Sequence, residues 1–313
     1  MDLIQRKPYW QTLRVILVAA GGLILTAAAP GPSSDFDAAA ACMSHHDFQC
    51  AIDILDPLLQ GNPQSEERIY RLQIEAHTGA RDLPGAALAA EMALRAYPKS
   101  LEMQKRLGLL LFQINPKDPR AGEALGAAAA GLPRDPEIHH FFGQWSYINH
   151  KQNQAVDEET RALALAGTND LAKLQINLIL GLAQDQMGQP ARADAAFRRA
   201  MDSNRRLRQP DPMAAFQYVQ FLDRNGRPDE AAALAQEILH YAPQFGPARL
   251  EYAKELGRKG NLKQAAVEAE RALPEIGDDP ELIRAVHYFL AKTWMQLKEP
   301  AKAQPHTAWI KAH

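Results

Sequence analysis

The chain has 313 residues, 46% hydrophobic and 23% charged, enough apolar surface for a substantial core, which excludes a wholly disordered chain. A formal net charge of -2 and a pI near 6.6 give none of the overall bias that bulk nucleic-acid or anionic-membrane binding selects. Aromatic residues are only 7% while alanine is abundant, a composition that suits close helix-on-helix packing better than strands, so an all-α chain is predicted.

The first element is residues 1–31. Arg6, Lys7 and Arg14 precede an uncharged run, Val15 to Ala29, that ends in small residues and then PGPSS. This reads as a secretory signal peptide cleaved after Ala27 or Ala28, as a retained N-terminal membrane anchor, although the run is shorter than the roughly 20 residues of a full span, or as a fortuitous apolar terminus. Positive charges before the run place everything after it outside the cytoplasm, in a periplasm or on an inner membrane facing it. Two cysteines follow, Cys42 and Cys50 in CMSHHDFQC. An oxidising compartment makes a disulfide the natural reading; two free thiols, or a zinc site with His45 or His46, are the alternatives. No metal or cofactor is predicted.

From residue 32 to 313 the chain repeats with a period of about 34 residues. The segments LGLAQDQMGQPARADAAFRRA, FLDRNGRPDEAAALAQEIL, KELGRKGNLKQAAVEAERAL and KTWMQLKEPAKAQPHTAWI align as helix, polar turn and alanine-rich helix. Gly188, Gly226 and Gly260 fall in register in the turn, where a left-handed residue ends a helix. Ala193, Ala231, Ala265 and Ala303 follow five residues later, where a small side chain lets two helices approach to about 8–10 Å.

These residues resemble the tetratricopeptide repeat. Leu180, Gly181, Gly188, Ala193, Phe197 and Ala200 match its pattern within one unit; Leu107-Gly108 and Phe142-Gly143 fill the Leu-Gly positions of others. Pro63, Pro98, Pro133 and Pro243 fill its closing proline. Eight units are predicted, starting near Pro32, Glu67, Leu101, Pro136, Leu174, Pro212, Gly246 and Arg284. The first lacks the Leu-Gly pair, the fourth has Glu159 where a large apolar residue is usual, and extra residues lie around GTND, RRLRQP and EIGDD. The resemblance implies an all-α, right-handed superhelical solenoid of antiparallel helix pairs.

It also implies a binding groove lined by the first helix of each unit. Carried across by position, the groove residues are Lys105, Leu109, Phe112, His140, Gln144, Tyr147, Phe216, Gln220, Leu250, Lys254, Tyr288 and Lys292. Leu109 stands where a clamp for a C-terminal carboxylate has asparagine, which argues against that specialisation. Arg205, Arg206 and Arg208 read either as a solvated loop or as an anion-capturing run. The sequence has no GxSxG, GxxxxGK[ST], GxGxxG or HExxH motif, and its histidines are scattered. The predicted function is therefore a non-catalytic scaffold outside the cytoplasm, holding a protein or peptide partner and no nucleic acid. A groove-based binder of a glycan or cell-envelope polymer is the alternative.

Overall fold

The computed structural model describes residues 34–61 and 65–313. The predicted signal or anchor segment, Pro32 and Pro63 all lie outside them. Among the described residues there are sixteen α-helices, no strand, and no helix long and apolar enough to cross a membrane. They form eight antiparallel pairs. The chain divides into two compact units meeting at Leu165 and Ala166. The first unit contains α1 (Ser34–Ser44) with α2 (Phe48–Gly61), α3 (Glu67–Gly79) with α4 (Leu83–Ala96), α5 (Leu101–Ile114) with α6 (Pro119–Gly131), and α7 (Pro136–Ile148) with α8 (Gln152–Leu165). The second contains α9 (Asp170–Gln186) with α10 (Pro190–Arg206), α11 (Pro212–Arg224) with α12 (Pro228–Tyr241), α13 (Gly246–Arg258) with α14 (Leu262–Ala272), and α15 (Pro280–Gln296) with α16 (Pro300–Ala312).

Helix starts are set by a recurring dipeptide. Asp118-Pro119, Asp135-Pro136, Asp211-Pro212 and Asp279-Pro280 each place an aspartate at the N-cap, accepting from backbone N–H groups of the first turn, and a proline at the first helical position. The carboxylate satisfies donors the helix leaves unpaired, worth about 1 kcal/mol, and proline has no N–H to lose there. These caps correct two predicted unit boundaries. Asn169 caps α9 and Asp279 caps α15, so both helices begin one turn before Leu174 and Arg284.

Gly188, Gly226 and Gly260 all take the left-handed conformation, with φ of 67°, 71° and 82°. The turns of four other pairs use the same conformation with side-chain-bearing residues: His46, Arg81, His150 and Lys298, at φ of 57° to 63°. An L-residue is disfavoured there by roughly 1–2 kcal/mol. His150 and Lys298 are exposed. Replacing either with glycine is therefore expected to raise stability by about 0.5–1 kcal/mol in chemical denaturation, the gain reduced by glycine's greater freedom when unfolded.

Helices within a pair approach where the Leu-Gly glycines stand. A Cβ on Gly108 would meet Leu125, on Gly143 would meet Glu159, and on Gly181 would meet the Phe197 ring. Ala193, Ala231, Ala265 and Ala303 are all buried. At the first turn of the chain, Cys42 in the last turn of α1 is bonded to Cys50 near the start of α2, with Cα atoms 5.8 Å apart. A loop this short gives a chain-entropy stabilisation of about 2–3 kcal/mol.

Candidate partner-binding face

The first helices of neighbouring pairs lie side by side, α1 with α3 and α5 with α7 in the first unit, α9 with α11 and α13 with α15 in the second. The predicted groove residues lie on these first helices, at two depths. Phe112, His140, Gln144, Phe216 and Leu250 are buried. Phe112 meets Phe141 edge-on at 5.8 Å and Phe216 meets Phe245 at 5.9 Å, while Leu250 belongs to the core of the second unit. These five are packed inside and offer no contact surface, a correction to their prediction as contact residues. The reasons are geometric: Phe112 and Phe216 are met by rings of the pair that follows, Phe141 and Phe245, while His140 and Gln144 are tied to each other and to Glu159 on α8 of their own pair.

Leu109, Tyr147, Gln220, Lys105 and Lys254 are half-buried, and only Tyr288 and Lys292 are fully exposed. The lysines differ in what they can offer. Lys105 Nζ donates to Asp135 at 2.6 Å and lies 2.7 Å from Glu137, both at the start of α7. Burial alone would lower its pKa, but these hydrogen bonds outweigh burial and hold it above the ordinary lysine range. The same partnership keeps Asp135 below the usual carboxylate range despite its burial. Lys105 is thus a tie between α5 and the cap of α7. Next to it, Arg106 donates to Glu75 on α3 and Glu102 on its own helix. Lys254 donates to Glu251 one turn away, whereas Lys292 stands exposed on α15.

Beneath the face in the first unit lies a polar cluster. Glu159 on α8 is fully buried, with one carboxylate oxygen 2.8 Å from His140 Nδ1 and the other without a hydrogen bond. His140 Nε2 lies 2.7 Å from the Gln144 amide. His139, one residue earlier, is bonded in the same way to Glu158 at 2.7 Å. Burial pushes the Glu159 carboxyl up to about 7, against the downward pull of His140.

In the second unit the charges form a network. Asp194 accepts from Arg227 at 2.5 Å, Tyr218 at 2.7 Å and Arg198 at 2.8 Å, and Arg227 makes a two-pronged contact with Glu230. Burial and this hydrogen bond push the Tyr218 hydroxyl up to about 12. Nearby, α10, α11 and α12 enclose a cleft of about 440 Å³ floored by Met201, Leu222 and Leu234. The arginine run is solvated but only partly a loop: Arg205 and Arg206, both exposed, lie in the last turn of α10, where Arg205 holds Glu237 through two nitrogens and Arg206 meets Asp170 at 3.3 Å. Only Arg208 lies beyond the helix, exposed. Among the described residues no cluster of three or more histidine, cysteine or acidic side chains is placed to hold a metal ion.

No family model and no curated protein matches the chain. Solved structures do. A tetratricopeptide repeat protein from Parabacteroides merdae is 13% identical, with a TM-score of 0.57 over 82% of this chain and 97% of its own. PilF of Pseudomonas aeruginosa is 17% identical, at 0.56 over 71% of this chain and 96% of its own. PilW, a type IV pilus biogenesis factor, is 16% identical, at 0.54 over 68% and 96%. At such identities the likeness speaks for fold, and together with the helix pairs, turn glycines and crossing alanines it establishes that this chain has the all-α solenoid fold of tetratricopeptide repeat proteins.

Proposed function

We propose that the protein is a non-catalytic scaffold outside the cytoplasm that holds a segment of a partner protein against the face made by its first helices. The observation that carries this reading is the side-by-side placement of first helices within each unit over a buried layer, with Leu109 and Tyr147 partly exposed on them in the first unit and Gln220 and Lys254 in the second. Half-exposed apolar and amphipathic side chains on a fixed backbone supply contact area at low ordering cost. The basic n-region before the apolar run and the Cys42–Cys50 bridge support an oxidising, exported location. Likeness to PilW and PilF, the first described as a pilus biogenesis factor, is compatible with a role in cell-envelope assembly.

The test is capture on the immobilised full chain, with bound protein and carbohydrate both analysed, against a Tyr147→Ala/Lys254→Glu variant. The variant is expected to retain its helical spectrum and lose about tenfold in affinity for the captured partner, equivalent to about 1.4 kcal/mol. Equal affinity for both forms would refute the face; captured sugar polymer without protein would favour the glycan-binding alternative.

A further inference from the structure

The outermost first helix, α15, carries a row of exposed side chains at helical spacing: Glu281, Arg284, Tyr288, Lys292 and Met295. Tyr288 is 64% and Met295 59% exposed, the two most exposed large apolar side chains among the described residues. Tyr288 stands ten residues before the left-handed turn residue Lys298, as Leu178, Phe216 and Leu250 stand ten before Gly188, Gly226 and Gly260. Those three are 0%, 2% and 0% exposed. Within the second unit, then, this position is buried in each preceding pair and open in α15.

The charge around the open row is one-sided. The hairpin of α15 and α16 holds Arg284, Lys292, Lys298, Lys302 and Lys311 against Glu281 and Glu299. The hairpin of α1 and α2 is its opposite: Asp35, Asp37, Asp47, Asp53 and Asp56, with no lysine or arginine. Like α15, α1 is a first helix, and it exposes Asp37, Ala38 and Ala41 on one side. Small residues there let a second helix approach to about 8 Å, with room for large side chains facing them.

We infer that a second copy of this chain covers the α15 face with its α1 helix, so that copies associate head to tail through a contact of the same kind that joins first helices within the chain. Tyr288 and Met295 pack over Ala38 and Ala41 of the second copy, and Arg284 and Lys292 meet Asp35 and Asp37. The contact is heterologous, different patches meeting, so each copy offers its basic patch to one neighbour and its acidic patch to another. It uses Tyr288 and Lys292 on α15 and none of Leu109, Tyr147, Gln220 and Lys254, the positions that carry the proposed partner contact.

Sedimentation of the purified full chain tests this. The weight-average mass is expected to rise above the single-chain value with protein concentration, and to fall back when ionic strength goes from about 0.1 M to about 1 M, which shortens screening from about 10 Å to about 3 Å. Tyr288→Ala/Met295→Ala, exposed positions that leave the fold intact, is expected to weaken association at least tenfold. Arg284→Glu/Lys292→Glu and Asp35→Lys/Asp37→Lys should each fail to associate alone, and a mixture of the two should associate, since the swapped ends match each other and the native ends remain. A single-chain mass at every concentration overturns the inference. So does association indifferent to all three variants, which would place the contact elsewhere, for example in residues 1–31. Neither result bears on partner capture by Tyr147 and Lys254.

Discussion

Replacing Phe197 with alanine is expected to destabilise the second unit by about 3–5 kcal/mol, the range for removing a fully enclosed aromatic side chain. Phe197 on α10 has no exposed surface. Its ring stacks on Tyr218 at 5.4 Å and meets Phe221 at 5.0 Å, both on α11, and it lies under Gly181 of α9. One ring therefore joins three helices. Alanine would leave a void that rigid helix backbones close only in part, so the loss exceeds the transfer term alone. Because Tyr218 also donates to Asp194, any shift of its ring disturbs the Asp194–Arg227 network as well. The melting temperature should drop by roughly 10 °C, given about 2–4 °C per kcal/mol for a body of this size. Phe197→Leu, which keeps most of the volume, should lose far less. A loss below about 1 kcal/mol for the alanine variant, read from the urea midpoint, would mean that α9, α10 and α11 do not depend on one another as their packing requires.

Phe197 is also the kind of residue that sequence makes legible. Its role follows from spacing within one unit: four residues after Ala193, opposite a Leu-Gly pair, in a period that recurs. The glycine turns and crossing alanines are readable for the same reason, since each is fixed by contacts inside a single helix pair. What depends on the next pair is not readable. Phe112, Phe216 and Leu250 look like groove residues in isolation and are buried because a following element lies over them. The partners of Lys105, Arg205 and Arg206 lie 30 or more residues away, so an apparently free charge or basic loop becomes an internal tie. The left-handed turns at His46, Arg81, His150 and Lys298 give no composition signal, because tertiary packing holds them against their local preference. Glu159 is a mixed case. Its departure from the repeat pattern is visible in the sequence, but its consequence requires knowing that His140, nineteen residues earlier, faces it.

That consequence is a pH dependence with a definite sign. Glu159 occupies the place that Leu125 and Phe197 fill against the glycines of other pairs, so its carboxyl sits where a hydrocarbon normally would. Burial raises its pKa from an ordinary 4.5 to about 7, while His140 draws it down and Glu158 adds to the rise. His139 is bonded to Glu158, which also meets Arg161 at the surface, so the groups facing Glu159 are His140 directly and the His139–Glu158 pair beside it. A carboxyl whose pKa is higher folded than unfolded binds its proton more tightly in the native state, and its contribution is therefore fully present below about pH 4.5. It is lost progressively as pH rises through 7, and the loss amounts to about 3 kcal/mol at about 1.4 kcal/mol per pKa unit. Glu159→Gln keeps a hydrogen bond to His140 Nδ1 and carries no charge. The first unit of this variant is expected to match the native protein near pH 5 and to be more stable than it near pH 8, by up to about 3 kcal/mol, in urea unfolding followed across that range. His140→Ala should behave in the opposite way, losing most above pH 7, because it leaves the ionised carboxylate buried without a partner. Parallel stability curves for the native and Glu159→Gln proteins would show that Glu159 does not titrate between the two pH values, and that its buried oxygen finds a partner other than His140.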